Sequence, residues 1–202
     1  MPVVVVIGAT RGLGQSLVKY YSKQPNTTIY GTSRHDKAPE EPGSTKWITG
    51  VDVGTKSAGK VIASALGSTT IDTLLVSAGF FGKESFDAPD WEAEERMYRT
   101  SAIGPVFLVT ALVHSGNLAK GSKVVMVSSE SGSITLRYGK DGGGDYAHHA
   151  SKAALNMVMK LLSLDLLEKE IAVCSVHPGF MRTEMTKNVG FDKYWDSGGG
   201  EY

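Results

Sequence analysis

The chain has 202 residues, of which 41% are hydrophobic, 21% are charged and 24 are glycine. Its 21 basic residues balance 21 acidic residues, which argues against binding to nucleic acid or an anionic membrane through bulk charge. The length allows one domain that can bury a core without disulfides or metals. The single cysteine, Cys174, excludes an intramolecular disulfide and favours a reducing compartment, which we expect to be the cytoplasm. The apolar run at residues 3–7 is too short for a signal peptide or a membrane span.

Apolar, β-branched runs alternate with helix-like segments along the whole chain. The predicted strands cover residues 3–7, 28–32, 47–51, 71–76, 123–128 and 171–176. The predicted helices cover residues 15–23, 56–66, 91–114 and 151–169, and a kink is expected at Gly104-Pro105 in the third. This alternation predicts a single α/β domain of the Rossmann type over residues 1–202, with a doubly wound parallel sheet covered by helices on both faces. Residues 186–202 are expected to form a flexible or truncated tail.

A glycine-rich segment lies between the first predicted strand and the first predicted helix. Gly8, Gly12 and Gly14 follow the spacing G-x-x-x-G-x-G, which lets the backbone turn tightly and approach a pyrophosphate. The N–H groups and the positive dipole end of the helix N-terminus attract the same phosphates. The segment therefore predicts a dinucleotide site that also includes Thr10, Arg11 and Leu13. The alternative is a tight turn that binds nothing.

The residues after the second predicted strand indicate whether the dinucleotide carries a 2′-hydroxyl or a 2′-phosphate. Ser33 and Arg34 stand there, and no carboxylate occurs before Asp36 to bind a ribose 2′-hydroxyl. Arg34 and Arg11 together form a possible clamp for a 2′-phosphate, because arginine pairs with phosphate bidentately. We therefore predict NADP(H) rather than NAD(H), the alternative being that Arg34 is a solvated loop residue. Asp52 is expected either to accept a hydrogen bond from the adenine amino group or to cap the next turn.

With these residues placed, the chain resembles the short-chain dehydrogenase/reductase family over about residues 3–186. The segments that carry the resemblance, in family order, are GATRGLG (8–14), VDV (51–53), VSAG (76–79), VVMVSSESGS (124–133), ASKAALNM (150–157) and HPGFMRTEM (177–185). The SKAALNM ending and the insertion after GSI are most similar to small carbonyl reductases related to the bacterial C-factor. The resemblance implies an NADP-dependent oxidoreductase. It also assigns further cofactor contacts to Asp52, Val53, Ser77, Ala78, Gly79, Lys152, Pro178, Gly179 and Thr183.

The family's chemistry uses a tyrosine, a lysine four residues later, a serine and an asparagine, and this chain keeps only part of that set. Ser129 and Lys152 stand at the serine and lysine positions. The tyrosine position holds His148, and the asparagine position holds Ser101. The nearest tyrosine, Tyr146, lies six residues before the lysine and would serve only if the helix began later than in the family.

On a helix, residues four apart share a face, so His148 and Lys152 are predicted to project together toward the nicotinamide. The Lys152 charge favours the neutral imidazole, which is a base or a hydrogen-bond donor near pH 7. Three functions follow: a carbonyl reduction tuned by His148, a non-redox dehydration, isomerisation or aldol-type cleavage with His148 as base, or an inactive NADP-binding protein. No metal site is expected, because adjacent His148 and His149 point apart on a helix and no third ligand is suitably spaced.

The loops after the later strands are rich in apolar side chains, which predicts an apolar or aromatic carbonyl substrate. These side chains are Phe80, Phe81, Tyr138, Phe180, Met181, Met185, Phe191, Tyr194 and Trp195. The resemblance also implies a homodimer or homotetramer formed through the helices near residues 91–114 and 151–169. The pattern lacks the family's seventh strand, so the chain is either truncated or a six-stranded variant whose open edge a partner subunit covers.

Overall fold

The computed structural model describes residues 1–39 and 43–194. Six strands form one parallel sheet in the order β3-β2-β1-β4-β5-β6. They are β1 (Val3–Ile7), β2 (Thr28–Thr32), β3 (Lys46–Ile48), β4 (Thr73–Val76), β5 (Lys123–Val127) and β6 (Ala172–Val176). The predicted α/β fold with a parallel sheet is therefore confirmed. The strand order reverses between β1 and β4, and such a switch point opens a crevice at the carboxyl ends of the strands.

Helices cover the sheet on both faces. They are α1 (Gly12–Tyr21), α2 (Ala58–Leu66), α3 (Trp91–Tyr98), α4 (Gly104–His114), α5 (Tyr146–Asp165) and α6 (Glu184–Asn188). Short 3-10 turns lie at Glu130–Gly132, Gly139–Asp141 and Asp192–Tyr194. The structure thus shows a helix and a turn at the start of the predicted tail, and residues 195–202 of that tail lie outside the described part of the chain.

The apolar core has two parts, one on each face of the sheet. In β1, Val5 and Ile7 face a large cluster with α2, α4 and α5, whereas Val4 and Val6 face a smaller one with α1. All four side chains are buried because successive residues of a strand point to opposite faces and both faces are covered. The unbroken valine run at the start of the chain is explained by this double burial.

Several predicted elements differ from the structure in their bounds or in their form. The predicted helix over residues 91–114 contains a π-helical turn at Arg99–Ile103, directly before the expected kink. Helix α5 begins at Tyr146 rather than at Ser151, because another loop caps its first turn. Strand β3 ends at Ile48, and Gly50 turns the chain with a φ of 70° before Val51.

At the edge formed by β6, alternate residues (Ala172, Cys174 and Val176) are exposed on one face. No other strand pairs with that edge among residues 1–39 and 43–194. Within the same residues, no helix has the length and apolar character needed to cross a membrane. No group of three or more potential metal-ligating side chains occurs in this part of the chain either.

Candidate active site

A cavity of about 340 Å³ lies at the carboxyl ends of the strands. The loops that follow all six strands line it together with the first two turns of α5 and the start of α6. Every predicted site residue lines this cavity except Gly14, Ser33, Ser101 and Tyr146. The cavity therefore brings the predicted cofactor contacts and three of the predicted catalytic residues to one place.

The glycine-rich loop between β1 and α1 is held in a shape that only glycine permits at two positions. Gly8 has a φ of 80°, and a Cβ atom there would lie 2.7 Å from Cα of Ala78 in the loop after β4. A Cβ atom on Gly14 would lie 2.1 Å from the Gly8 carbonyl oxygen. Gly14 thus acts by allowing the tight turn, which explains why it does not line the cavity. Arg11, the N-cap residue of α1, provides no side-chain cap, so the cavity faces a helix N-terminus open to an anion.

Two of the arginine side chains that line the cavity, Arg11 and Arg34, lie at its β1 and β2 end. Arg34 is exposed, and the buried Ser33 beside it shapes its loop: the Ser33 hydroxyl donates to the Lys37 carbonyl and accepts the His35 N–H, both at 3.2 Å. Arg11 is also exposed, and its Nη1 lies 3.9 Å from Oε2 of Glu184 on α6. Ser33 therefore organises the loop that presents Arg34 and does not itself face the cavity.

Asp52 follows β3. The sequence left two roles open for it, a hydrogen bond to adenine or a cap on the next turn, and the structure shows the capping contacts. Its Oδ1 accepts the Gly54 N–H at 2.9 Å, and its carbonyl accepts the Thr55 hydroxyl at 2.8 Å. Asp52 also lines the cavity, next to the buried Val53. The carboxylate is thus held in place by its own turn while it faces the space available to a ligand.

Ser129 stands at the end of β5, where the chain leaves the sheet. Its Oγ accepts the Ser131 N–H at 3.1 Å, so the hydroxyl hydrogen is not used in that bond. Gly132 closes the same turn against α5, because a Cβ atom there would lie 2.6 Å from the backbone carbon of Lys152. Gly132 is a site residue that the sequence analysis did not single out, although it is part of the SSESGS motif.

His148 and Lys152 lie one turn apart on α5, and both line the cavity. Lys152 Nζ donates to the Val127 carbonyl at 2.8 Å, and burial lowers the pKa of Lys152 to about 8. The His148 ring packs on Phe81 with centroids 4.3 Å apart. Burial, followed by the Lys152 charge, lowers the pKa of His148 to about 4. At neutral pH the site therefore holds an uncharged imidazole beside an ammonium group.

The other two catalytic candidates lie away from this group. Tyr146 is 41% exposed at the start of α5, on another side of the helix from His148. Ser101 is 3% exposed, lies within the π-helical turn and does not reach the cavity. The residues that the structure brings together are therefore Ser129, His148 and Lys152.

Aromatic rings line the cavity beside His148. The ring of Phe191 lies 6.0 Å from the rings of both Phe81 and Phe180. The predicted apolar residues that line the cavity are Phe80, Phe81, Phe180, Met181, Met185 and Phe191. Arg96, which the sequence analysis missed, also lines it and lies 4.0 Å over the Phe80 ring. Tyr138 does not line the cavity, and the side chain of Tyr194 and all of Trp195 fall outside the described part of the chain.

The family profile described as short chain dehydrogenase matches residues 2–193. The chain belongs to this family. A short chain dehydrogenase of Penicillium aethiopicum is 32% identical to it, over 95% of this chain and 84% of the relative.

Two solved structures show how closely this short-chain dehydrogenase follows the fold of known proteins. A carbonyl reductase from Pseudomonas aeruginosa has 27% identity and a TM-score of 0.75, over 99% of this chain and 93% of that one. An NADPH-bound carbonyl reductase from chicken fatty liver has 23% identity and a TM-score of 0.79, over 92% of this chain and 78% of that one. The fold and the family are therefore established by independent comparisons.

Proposed function

We propose that this short-chain dehydrogenase is an NADP(H)-dependent oxidoreductase that interconverts a carbonyl compound and an alcohol. The observation that carries the proposal is that Ser129, His148 and Lys152 line the same cavity as an open helix N-terminus and the arginines at the β1 and β2 end. The carbonyl reductase of Pseudomonas aeruginosa, similar over nearly its whole length, supports the reaction class.

The residues at the β1 and β2 end of the cavity fit a phosphorylated dinucleotide. The tight turn around Gly8 and the uncapped start of α1 suit a pyrophosphate, and Arg11 and Arg34 suit a 2′-phosphate. The NADPH in the chicken carbonyl reductase of the same fold supports this choice over NAD(H). Bound NADPH would supply the hydride for reduction of a carbonyl carbon.

Residues of the chain itself transfer the proton to and from the substrate oxygen. The Ser129 hydroxyl donates a hydrogen bond to the substrate oxygen. Because the pKa of His148 is about 4, its ring is neutral at pH 7 and accepts the hydroxyl proton of an alcohol in the oxidative direction. In the reductive direction the neutral ring is a weak proton source, and Lys152, still mostly protonated at pH 7, is the charged donor one helical turn away.

The test is a titration of the protein with NADPH and NADH by cofactor fluorescence, followed by NADPH consumption with a panel of aromatic and aliphatic ketones and aldehydes. We expect NADPH to bind at micromolar concentration and more tightly than NADH. The matched variant Arg34→Ala should remove that preference and leave NADH binding unchanged. Absence of NADPH binding, or of turnover with every carbonyl compound, would contradict the proposal.

A second function is a non-redox reaction that uses the same cavity with His148 as general base. The observation in its favour is the lowered pKa of His148, which leaves an uncharged acceptor nitrogen over the whole physiological range. Dehydration, isomerisation or aldol-type cleavage of a panel substrate with no change in NADPH would assign this function. Cofactor binding with neither reaction would mark an inactive NADP-binding protein.

The substrate and the assembly are also proposals. The rings and thioethers beside His148 favour an apolar or aromatic carbonyl compound. The exposed apolar side chains of α4 and α5 favour a homodimer or homotetramer formed through these helices. We propose a cytoplasmic location on the basis of the single, unpaired Cys174.

A further inference from the structure

The first turn of α5, which carries His148, is capped by a carboxylate from a distant part of the chain. The N-cap residue, Asp145, has a left-handed conformation (φ 49°), and its side chain gives the helix no cap. Instead, Oε1 of Glu84 accepts the Ala147 N–H at 2.6 Å. A carboxylate is the favoured partner there, since the first amides of a helix lack acceptors and its dipole is positive at this end.

Glu84 and Asp145 also exchange two further hydrogen bonds. The Asp145 N–H donates to the Glu84 carbonyl at 3.0 Å, and the Glu84 N–H donates to Asp145 Oδ1 at 3.1 Å. Gly144 makes room for this contact: its φ is 88°, and a Cβ atom there would lie 3.1 Å from the Glu84 carbonyl oxygen. The glycine-rich insertion before α5 therefore ends in a turn shaped to fit Glu84.

The Glu84 side chain is buried, with 7% of its residue surface exposed, and its two carboxylate oxygens differ in their hydrogen bonding. Oε2 has no hydrogen-bond partner among the described residues. Glu94 on α3 is the neighbouring carboxyl group: its interaction with Glu84, followed by desolvation and the charges of Glu84 and Asp90, raises the pKa of Glu94. A carboxylate buried this deeply costs free energy in desolvation, so its position calls for an explanation.

The same loop also contacts the His148 side chain. Phe81, three residues before Glu84, packs on the His148 ring at 4.3 Å, and Ala147, the residue capped by Glu84, directly precedes His148. The loop thus holds the first turn of α5 from two sides, with a carboxylate on the backbone and an aromatic ring on the side chain.

We propose that Glu84 is a positioning residue that fixes the first turn of α5 and thereby keeps the His148 ring in its half-buried place beside Lys152. The role of His148 in turnover rests on the proposed function, whereas the capping of α5 by Glu84 does not.

The test compares Glu84→Ala, Glu84→Gln and the control Glu92→Ala, which removes an exposed carboxylate from the first turn of α3. NMR of the labelled histidine rings gives the titration midpoint of His148. In Glu84→Ala this midpoint should rise from about 4 toward 6.5, because the ring moves toward water. The kcat should fall by about a hundredfold, whereas KM and the Kd for NADPH should change little, since all the predicted cofactor contacts except Lys152 lie on other elements, and the Val127 carbonyl still holds Lys152.

Glu84→Gln should restore the midpoint and kcat, because the amide oxygen still accepts the Ala147 N–H. Glu92→Ala should match the unmodified protein. An unchanged His148 midpoint in Glu84→Ala would overturn the proposal, as would a Glu84→Gln variant that behaves like Glu84→Ala.

Gly144→Ala provides a test that keeps every charge, in case Glu84→Ala does not fold. Its methyl group should displace the Glu84 carbonyl and shift the His148 midpoint upward, and no shift would count against the proposal. The midpoint can be measured without turnover. A protein that reduces no carbonyl compound would therefore refute the proposed function, whereas the His148 titration would still decide the role of Glu84.

Discussion

The sequence analysis expects His148 at the position of the family's tyrosine, and the surroundings of His148 in the structure act on its ring in the opposite way. A nearby ammonium group helps a tyrosine, with an ordinary pKa of about 10, to release its proton. The same group beside His148 opposes the addition of a proton, and burial acts in the same direction. The pair His148 and Lys152 is therefore arranged to keep an imidazole neutral.

Replacement of His148 by phenylalanine keeps a ring against Phe81 and removes both nitrogens. We expect His148→Phe to lower kcat by about a hundredfold or more, because general acid–base catalysis is worth about 10²–10⁴-fold. The Kd for NADPH should be unchanged. Steady-state NADPH consumption and fluorescence titration measure the two quantities. Tyr146→Phe is the control and should keep full activity; inactivity of that variant alone would assign the role to Tyr146. The variant His148→Tyr tests the family's usual chemistry. A higher reductase activity of this variant would show that the histidine makes the natural protein a weaker reductase.

The lowered pKa of His148 also predicts how stability depends on pH. Because the folded-state pKa is about 4 and the unfolded value about 6.5, the unfolded chain binds more protons between these values. Stability should therefore fall as the pH falls from about 6.5 to 4, by up to about 3 kcal/mol from this group. Urea unfolding of the native protein and of His148→Phe across this range should give free energies that diverge in acid. The control His114→Gln, at the exposed end of α4, should follow the native curve, and parallel curves for His148→Phe would contradict the prediction.

At the scale of elements, the sequence predicted what depends on local patterns and missed what depends on distant contacts. The strands β1 and β2 and the glycine-rich loop follow from burial on both faces and from the tight turn, and both are visible in adjacent residues. The start of α5 was predicted too late, because the glycine run before it indicates a loop and the capping Glu84 lies 63 residues from Ala147. Ser101 was placed in the site from a motif, whereas the π-helical turn buries it.

Gly132 allows the turn that carries Ser129 to pack closely against α5, because a Cβ atom at this position would lie 2.6 Å from the backbone carbon of Lys152. We expect Gly132→Ala to destabilise the protein by about 1–3 kcal/mol, because its methyl group would overlap the backbone of Lys152. It should also lower kcat, since the overlap separates Ser129 from Lys152. Thermal unfolding and NADPH turnover measure these effects. Gly139→Ala is the matched control, because a Cβ atom there meets nothing within 4 Å, and equal behaviour of the two variants would refute the role of Gly132.

At the scale of the whole molecule, the site and the exposed apolar surface lie on different parts of the fold. The cavity is built at the carboxyl ends of the strands, whereas apolar side chains remain exposed along α4 and α5. On α5, Met157, Leu161 and Leu164 follow helical spacing and are 60%, 53% and 52% exposed. On α4 and just before it, Phe107 and Ile103 are each 50% exposed. Apolar residues that line one helix face in this way are typical of a surface that a partner covers.

We therefore expect the protein to self-associate through α4 and α5, and the double variant Leu161→Glu/Leu164→Glu to be monomeric, because carboxylates facing each other across the interface would be desolvated and would repel. Sedimentation equilibrium measures the mass, and the Kd for NADPH checks that the variant remains folded. The control Ile134→Glu adds one such carboxylate at a side chain that is 88% exposed and lies outside both helices, and should leave the assembly intact. A monomeric native protein, or an oligomer that survives the double variant, would place the interface elsewhere.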